Sequence, residues 1–414
     1  MNLSELKQEI QKYQYMEDTD IIDISLASIL ATRLGLGDPV WLILIGASSG
    51  GKSQILRPLA LTDTKFLHRL DDLTENTFLS GGNVAGGKDV SLLTRIGPKG
   101  MLVISDFTVI FSKSPESQAA ILSQFRMIYD GEMVKYVGTK AEPLSWKGYL
   151  GILAGSTPTI YSNFEQVSDM GERFIYYRMK DYDPEKATRI AMGRKIYGKE
   201  LDNVLSELYV EYLKDIVINN AGDEVILSDI IKNRIITIAV LAERIRTTCH
   251  TDFREKTMDR LPVSAMPMRV ALQLTAIAKG LSIMRKAEGE ALGERDLKII
   301  DWCGYSLANE EKRACLRILA ELAFDSYMST QNIADKIGLS TGVIGSILQN
   351  LASVGVVARS GSGSLIWKIL KRGDWEIIRE IEGIVEEVYE IDHRELSEEE
   401  LKEVEPAQST LDKF

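Results

Sequence analysis

The residues best suited to chemistry lie in one short loop, which follows the apolar run at 40–45 and precedes a helical pattern. The loop fits the pattern GxxxxGK[ST], in which small residues let backbone N–H groups turn inward around a phosphate. The helix that follows presents its positive N-terminal end to the same anion. The pattern predicts a nucleotide site formed by Gly46, Ala47, Ser48, Ser49, Gly50, Gly51, Lys52 and Ser53.

Within this loop, Lys52 is expected to reach the β and γ phosphates of a nucleotide, and the Ser53 hydroxyl is expected to be a ligand of Mg²⁺. A nucleotide site also needs an acidic group at the end of a neighbouring strand. The segment 100–107, GMLVISDF, supplies an apolar strand closed by Asp106. Asp106 would hold magnesium or polarise the attacking water, and the sequence leaves both roles open. The alternative is an ordinary turn residue.

The elements that must position these residues alternate between strand-like and helix-like patterns. Apolar runs at 102–105, 149–155 and 174–179 read as strands, and 115–130 reads as a helix. This alternation predicts an α/β fold with a largely parallel sheet. We divide the chain into an N-terminal helical segment (1–38), a nucleotide-binding core (39–182), a helical region (183–304), a third unit (305–372) and an acidic helix with a disordered tail (373–414).

The order of these motifs resembles that of the AAA+ ATPases, and within them the minichromosome-maintenance-like helicases and their relatives in phages and mobile elements. The resemblance covers about residues 25–300 and implies a P-loop AAA+ core with a helical lid, ATP and Mg²⁺ as cofactors, and a hexameric ring. In that family the second acidic motif reads Asp-Glu-Phe, where this chain has Ser105-Asp106-Phe107. If the two motifs are aligned at Phe107, Asp106 takes the place of the catalytic Glu and Ser105 that of the magnesium Asp. If they are aligned by the apolar strand that precedes them, Asp106 is the magnesium residue and no Glu follows it.

The resemblance also assigns roles to residues in the second half of the core. In the alternating segment 131–147, Lys135 and Lys140 would line a central pore on a β-hairpin and contact DNA. The alternative is an ordinary exposed hairpin with lysines on its edge. Thr157, in ILAGSTP, is similar to a sensor residue that is usually Asn in the family.

Two arginines complete the set that the resemblance implies. Arg173, in GERF, is similar to the arginine finger that one subunit inserts beside the nucleotide of its neighbour, where its planar fork stabilises charge on the γ-phosphoryl oxygens. Arg269, in PMRV at the start of a helix, is similar to the second sensor arginine of the lid. A structural salt bridge is the alternative for Arg173, and an exposed surface position is the alternative for Arg269.

The third unit reads as a winged helix-turn-helix, with two short helices followed by two strands around the tip Ser-Gly-Ser-Gly. The second helix begins with small uncharged residues, which cannot reach base edges as direct readout requires. The candidates for phosphate contacts cluster at or after the wing and are Arg359, Lys368, Lys371 and Arg372. We therefore expect weak, largely non-specific DNA contact or a docking role.

Composition and charge restrict the class of protein. The net charge of -11 comes from the tail alone, because residues 373–414 hold fifteen acidic and four basic residues and the rest holds 45 of each. Such a tail solubilises the protein or, alternatively, mimics DNA and covers a basic pore.

The three cysteines lack CxxC spacing, which indicates free thiols in a reducing compartment and argues against a zinc site. With no signal peptide and no long apolar stretch, the sequence predicts a cytoplasmic protein without a membrane segment.

The leading interpretation is an ATP-dependent motor that forms a ring, moves on single-stranded DNA by its pore hairpins and unwinds duplex DNA, in the replication of a phage, virus or plasmid-like element. The alternative is a nucleotide-switched DNA-binding regulator or loader, which the altered Ser105-Asp106 pair favours because slow hydrolysis suits a switch. A third interpretation is a remodeller of other proteins.

Overall fold

The computed structural model describes residues 1–48, 50–80, 91–136, 142–162, 173–180, 183–220, 222, 224–247, 266–361 and 365–384. The chain forms two compact units. The first comprises Met1–Val240 with Ala265–Leu307, and the second comprises Leu241–Ser264 with Ala308–Phe414.

The centre of the first unit is a sheet of five strands in the order β2-β3-β6-β1-β7, and every pair of neighbours in it is parallel. All five residues of β1 are buried, as expected for a parallel strand that is covered on both faces. A separate antiparallel hairpin consists of β4 and β5. The strands are β1 (Trp41–Ile45), β2 (Leu67–Leu70), β3 (Lys99–Ile104), β4 (Glu132–Lys135), β5 (Leu144–Lys147), β6 (Tyr149–Ser156) and β7 (Ile175–Arg178).

The helices of this unit begin and end at residues suited to caps. Ser114 caps α5 with Pro115 at its first position, and Gly35, with φ +70°, ends α2 in the left-handed conformation. The helices are α1 (Leu3–Gln11), α2 (Asp20–Leu34), α3 (Lys52–Thr62), α4 (Leu92–Ile96), α5 (Pro115–Tyr129), α6 (Pro184–Gly193), α7 (Gly198–Asn219), α8 (Asp229–Arg246, which continues into the second unit), α9 (Met268–Ala287) and α10 (Glu294–Tyr305).

The described residues of the second unit form three further helices, a three-stranded antiparallel sheet and a final helix. The sheet has the order β8-β10-β9. Lys312 attaches α11 to the end of α8, because its Nζ donates to the carbonyls of Ile245 and Thr247. The elements are α11 (Glu310–Glu321), β8 (Met328–Ser329), α12 (Thr330–Ile337), α13 (Thr341–Ser353), β9 (Val357–Ser360), β10 (Ile366–Ile369) and α14 (Arg372–Glu382).

The predicted α/β fold with a parallel sheet is confirmed, and the strands expected near 102, 149 and 174 are found as β3, β6 and β7. The predicted helical segment at the N-terminus is two helices separated by residues 12–19. The short strands β2 and β8 were not predicted.

Of the cysteines, Cys303 and Cys315 are free and buried, and Cys249 lies outside the described residues. None of the helices that the structure describes is long and apolar enough to cross a membrane.

A buried ionic network fixes the N-terminal helices to the later helices of the first unit. Asp23 of α2 is fully buried and contacts Lys7 of α1. It also accepts a hydrogen bond from Nη2 of Arg285 in α9 at 2.7 Å, and the same guanidinium reaches Asp296 of α10 at 2.6 Å. Four helices that are distant in sequence therefore share one set of charges.

We expect Asp23→Ala to lower the free energy of unfolding by about 3–5 kcal/mol, because it removes the acid shared by Lys7 and Arg285 from a buried site. Urea titration followed by circular dichroism measures this loss. The matched control is Glu294→Ala, which removes an exposed pair with Lys298 on α10 and should leave the stability nearly unchanged. Equal effects of the two variants would show that the network contributes no more than a surface pair.

Candidate nucleotide site

The predicted phosphate loop lies at the carboxyl edge of the parallel sheet, where β1 ends and α3 begins. Ile45 is in register with Ser156 of β6, and the backbone N–H of Gly46 donates to the Ser156 carbonyl at 3.1 Å. Thr157 therefore lies beside the start of the loop. Asp106 follows β3, which pairs with β6 on its other side, so it lies at the same edge. The topology thus brings three elements predicted from sequence to one edge.

The glycines of the loop are required by its geometry. Gly51 precedes α3 with φ +86°, a conformation that residues with a side chain rarely adopt. A Cβ atom at Gly50 would lie 2.9 Å from the Ala47 carbonyl oxygen, which already accepts a hydrogen bond from the Gly50 N–H. The loop is a narrow backbone cradle that suits a phosphate group. Of the predicted set, Ser49 lies outside the described residues.

Lys52 points back into this cradle. Its Nζ donates to the carbonyls of Gly46 at 2.7 Å and Ala47 at 2.6 Å, and only 9% of the residue is exposed. Burial lowers the pKa of Lys52, and the negative charge of Asp106 acts in the opposite direction. A single cation at the centre of the loop suits an anionic ligand.

The carboxyl edge of the sheet also contains a carboxylate that the sequence did not predict as part of the site. Asp106 is exposed and accepts a hydrogen bond from the Thr108 N–H at 2.9 Å, so it begins a short 3-10 helix. Ser105 donates to Asp71, which follows β2, at 3.3 Å. Asp71 thus stands next to Ser105, at the same edge of the sheet as Asp106. Only the strand order reveals this, since 34 residues separate the two in sequence.

Arg173 lies at the opposite, amino edge of the sheet, two residues before β7. Its Nη2 donates to both carboxylate oxygens of Asp130, at 3.0 and 2.9 Å, and its guanidinium lies 5.4 Å from the centre of the Tyr129 ring. The residue is 6% exposed. The salt bridge that the sequence offered as an alternative is therefore present. Arg173 cannot reach the phosphate loop of its own chain, which lies across the sheet.

Arg269 lies near Arg173 at this amino edge. It opens α9 and is exposed, and its positive charge acts on both Tyr129 and Arg173. One turn later, Gln273 accepts from the Trp41 N–H at 2.8 Å and donates to the Arg173 carbonyl at 2.9 Å. These bonds fix the start of α9 against β1 and the residues before β7. Both predicted arginines therefore share one edge, and Thr157 and Asp106 share the other.

The predicted hairpin lysine is already bound to protein groups. Lys135, at the end of β4, donates to Asn76 Oδ1 and to the Leu79 carbonyl, both at 2.9 Å, and lies 3.4 Å from the Glu75 carbonyl. These contacts attach the hairpin to the segment after β2. The next residue, Tyr136, is 83% exposed. Lys140 lies outside the described residues.

The predicted phosphate-contacting residues of the second unit differ in their surroundings. Arg359 of β9 is exposed. Lys368 of β10 forms an ion pair with Asp325 at 2.6 Å and lies 5.1 Å from the centre of the Tyr327 ring. A nearby acid thus offsets the charge of Lys368.

A cavity of about 260 Å³ adjoins the phosphate loop. Its walls are Gly50 and Gly51 of the loop, the start of α3, helix α6, residues 179–180 after β7, and the segment 14–18 between α1 and α2. Asp18 in this wall accepts from the Tyr177 hydroxyl at 2.9 Å and from the Lys180 N–H at 3.2 Å, and burial raises its pKa. Sequence reasoning missed these walls, because no local pattern brings residues 14–18 to the loop.

Compared with models of known protein families and with curated proteins, the chain matches none of them.

Proposed function

We propose that the protein is a P-loop ATPase of the AAA+ type that assembles into a hexameric ring and moves single-stranded DNA through it. The observation that carries the ATPase assignment is the loop 46–53 between a buried parallel strand and a helix, with Lys52 at its centre. Asp106 and Thr157 end neighbouring strands at the same edge. The cavity next to Gly50 and Gly51 offers room for a nucleoside.

The residues present also fit a magnesium nucleotide. The hydroxyl of Ser53 and the carboxylate of Asp106 would hold the ion, and the loop N–H groups and Lys52 would hold the phosphates. When bound, the ion would neutralise negative charge on the phosphate oxygens. Asp71, beside Ser105, brings a second carboxylate to this edge, where it can accept a proton or orient water.

The oligomer is part of the proposal because of where Arg173 lies. An arginine at the amino edge of one sheet serves a nucleotide only if a neighbouring subunit presents its carboxyl edge there. Arg269 on the same edge would add a second positive charge to that interface. Forming it requires Arg173 to exchange Asp130 for a phosphate oxygen.

The second unit supports a DNA-directed role under the same proposal. Two short helices followed by an antiparallel sheet fit a winged helix-turn-helix, and the exposed Arg359 of β9 would contact phosphates. Small residues at the start of α13 suit non-specific contact better than base readout.

The test of the motor is the rate of ATP hydrolysis with and without single-stranded DNA, for the wild type and for Lys135→Ala combined with Lys140→Ala. We expect DNA to stimulate hydrolysis several-fold, and the double variant to lose this stimulation while keeping its basal rate. Lys147→Ala is the matched control, because this exposed hairpin lysine pairs with Glu132. The single variants separate direct contact at Lys140 from support of the hairpin by Lys135.

The second candidate is a nucleotide-switched DNA-binding regulator, which Ser105 in place of an acid favours. Hydrolysis that is indifferent to DNA, together with binding but no strand displacement, would support the switch and exclude the motor. A remodeller of proteins predicts no response to nucleic acid in either assay.

A further inference from the structure

The cavity beside the phosphate loop contains an arginine whose charge no acid compensates. Arg194, which follows the last residue of α6, lines this cavity together with Gly50, Gly51 and Gln54. Its Nη2 donates to Gln54 Oε1 at 3.1 Å, and its guanidinium forms no ion pair with any residue that the structure describes. Because an arginine stays protonated at neutral pH, this wall of the cavity carries a free positive charge.

The other charged groups of the cavity have partners within the protein. Lys180 lies 3.8 Å from Asp20. Asp18 accepts a hydrogen bond from the Tyr177 hydroxyl at 2.9 Å. Of the two described cations that line the cavity, Arg194 is therefore the one without an acidic partner. Burial lowers the pKa of Arg194, so its guanidinium is partly removed from water, where it would attract an anion more strongly than an exposed cation does.

The hydrogen bond to Gln54 fixes this guanidinium at the start of α3. Gln54 lies in the first turn of that helix, two residues after Lys52. The positive end of α3 and the ammonium of Lys52 both favour an anion at this place. A phosphate group in the loop would therefore lie next to the turn to which Arg194 is bonded.

Helix α6 itself has little to hold it against the rest of the first unit. None of its ten residues is buried. The residues that it contributes to the cavity wall are Pro184, Ala187, Thr188 and Ala191. Such small side chains contribute little apolar area, so the bond from Arg194 to Gln54 is an important attachment of this helix. A ligand that binds Arg194 would stabilise α6 in its place over the cavity.

We propose that Arg194 binds a phosphate group of the nucleotide, and that this contact holds α6 beside the phosphate loop. The Nη1 of Arg194 has no hydrogen-bond partner in the described part of the chain, so it can donate to a phosphate oxygen while Nη2 keeps its bond to Gln54. Unlike Arg173, this arginine serves the loop of its own chain. The inference rests on the proposed nucleotide site and adds a second cation and a helix that responds to the ligand.

The first experiment is isothermal titration of the full chain with ATP and with inorganic triphosphate, each in the presence of Mg²⁺. We expect Arg194→Ala to weaken the binding of both by about tenfold or more, because it removes a charge-assisted hydrogen bond. A contact to the base or ribose would weaken the binding of ATP alone. Loss for ATP alone, or no loss for either ligand, would overturn the inference.

Two further variants complete the titration. Arg194→Lys keeps the charge without the planar fork and should recover part of the lost affinity. Arg189→Ala is the matched control, because this exposed arginine of α6 pairs with Glu185 at 3.9 Å. It should bind both ligands with the wild-type affinity.

The second experiment is hydrogen–deuterium exchange of residues 184–194 with and without saturating ATP and Mg²⁺. We expect ATP to slow exchange in this segment several-fold in the wild type, and to leave it unchanged in Arg194→Ala at concentrations that saturate the variant. The wild-type measurement needs no substitution, so it stands even if variants at Arg194 fold poorly, and it decides alone if inorganic triphosphate does not bind. Exchange in the wild type that ATP does not slow, or equal protection in Arg194→Ala, would overturn the inference.

These outcomes are distinct from a failure of the proposed function. If binding requires Lys52 but not Arg194, only the role of Arg194 is wrong. If the wild type binds no nucleotide, or binds it independently of Lys52, both proposals are wrong.

Discussion

Lys52→Ala is expected to abolish nucleotide-dependent activity, with hydrolysis reduced by at least about 100-fold and ATP affinity reduced as well. The side chain is the cation at the centre of the loop, and its ammonium lies within hydrogen-bond distance of two loop carbonyls. A preorganised charged donor of this kind stabilises the developing charge on the phosphoryl oxygens. Release of inorganic phosphate and the shift in melting temperature on adding ATP and Mg²⁺ measure the two effects.

The matched control is Lys65→Ala, since Lys65 is an exposed lysine located soon after α3. It should hydrolyse ATP at the wild-type rate. The unliganded Lys52→Ala protein should melt near the wild-type temperature, which separates loss of the site from loss of the fold. Hydrolysis by Lys52→Ala at more than about a tenth of the wild-type rate would remove the loop from the mechanism.

Arg173→Ala is expected to lower the rate of hydrolysis by about 10³-fold or more while leaving ATP binding nearly intact. The reason is location: Arg173 stands before β7 at the edge of the sheet opposite to its own loop, so it can contribute only to the site of a neighbouring subunit. Steady-state hydrolysis and titration of ATP into the variant measure the two quantities.

Mixing two inactive variants tests whether the arginine acts across subunits. In a mixed ring of Lys52→Ala and Arg173→Ala subunits, some interfaces pair an intact loop from one chain with an intact arginine from the other. We expect hydrolysis to reappear on mixing and to depend on the ratio of the two. Failure to recover activity in rings shown to exchange subunits would contradict action across the interface.

The ion pair with Asp130 offers a control for the structural interpretation of Arg173. Asp130→Asn removes the partner charge and keeps the arginine. If Arg173 serves the neighbouring nucleotide, Asp130→Asn should keep hydrolysis within a few-fold of the wild type. If Arg173 serves only the ion pair, the two variants should lose stability and hydrolysis to the same extent.

The sequence predicts the nucleotide loop because all its determinants are local. The apolar strand, the small residues and the following helix are contiguous, and each of these elements is found where the pattern placed it. The same holds for the strands β3 and β6, whose apolar runs are long enough to stand out from their surroundings. Strand β2 has only four residues with mixed burial, so its pattern carries little signal.

Contacts between distant segments account for what the sequence could not predict. Asp71 reaches Ser105 only because β2 pairs with β3, and a sequence pattern does not fix the order of strands. Gln14 reaches the cavity because the segment between α1 and α2 lies near Gly50. The resemblance makes Lys135 a DNA contact, and the sequence gives no sign that its ammonium also binds the segment that contains Asn76 and Leu79.

The path of the chain between the two units has a consequence for dissecting the protein. Residues 241–264 belong to the second unit, although residues on both sides of them belong to the first. Within that unit, Arg244 pairs with Asp374 at 2.7 Å, and Lys312 binds the end of α8. Each unit is therefore built from two separate segments of the chain. A fragment that ends at residue 307 would keep the end of α8 but lose Lys312 and Asp374, which contact it. The other fragment would lack residues 241–264, which belong to the second unit. We therefore expect the two units to fold together during synthesis, and we expect that a single cleavage does not separate them.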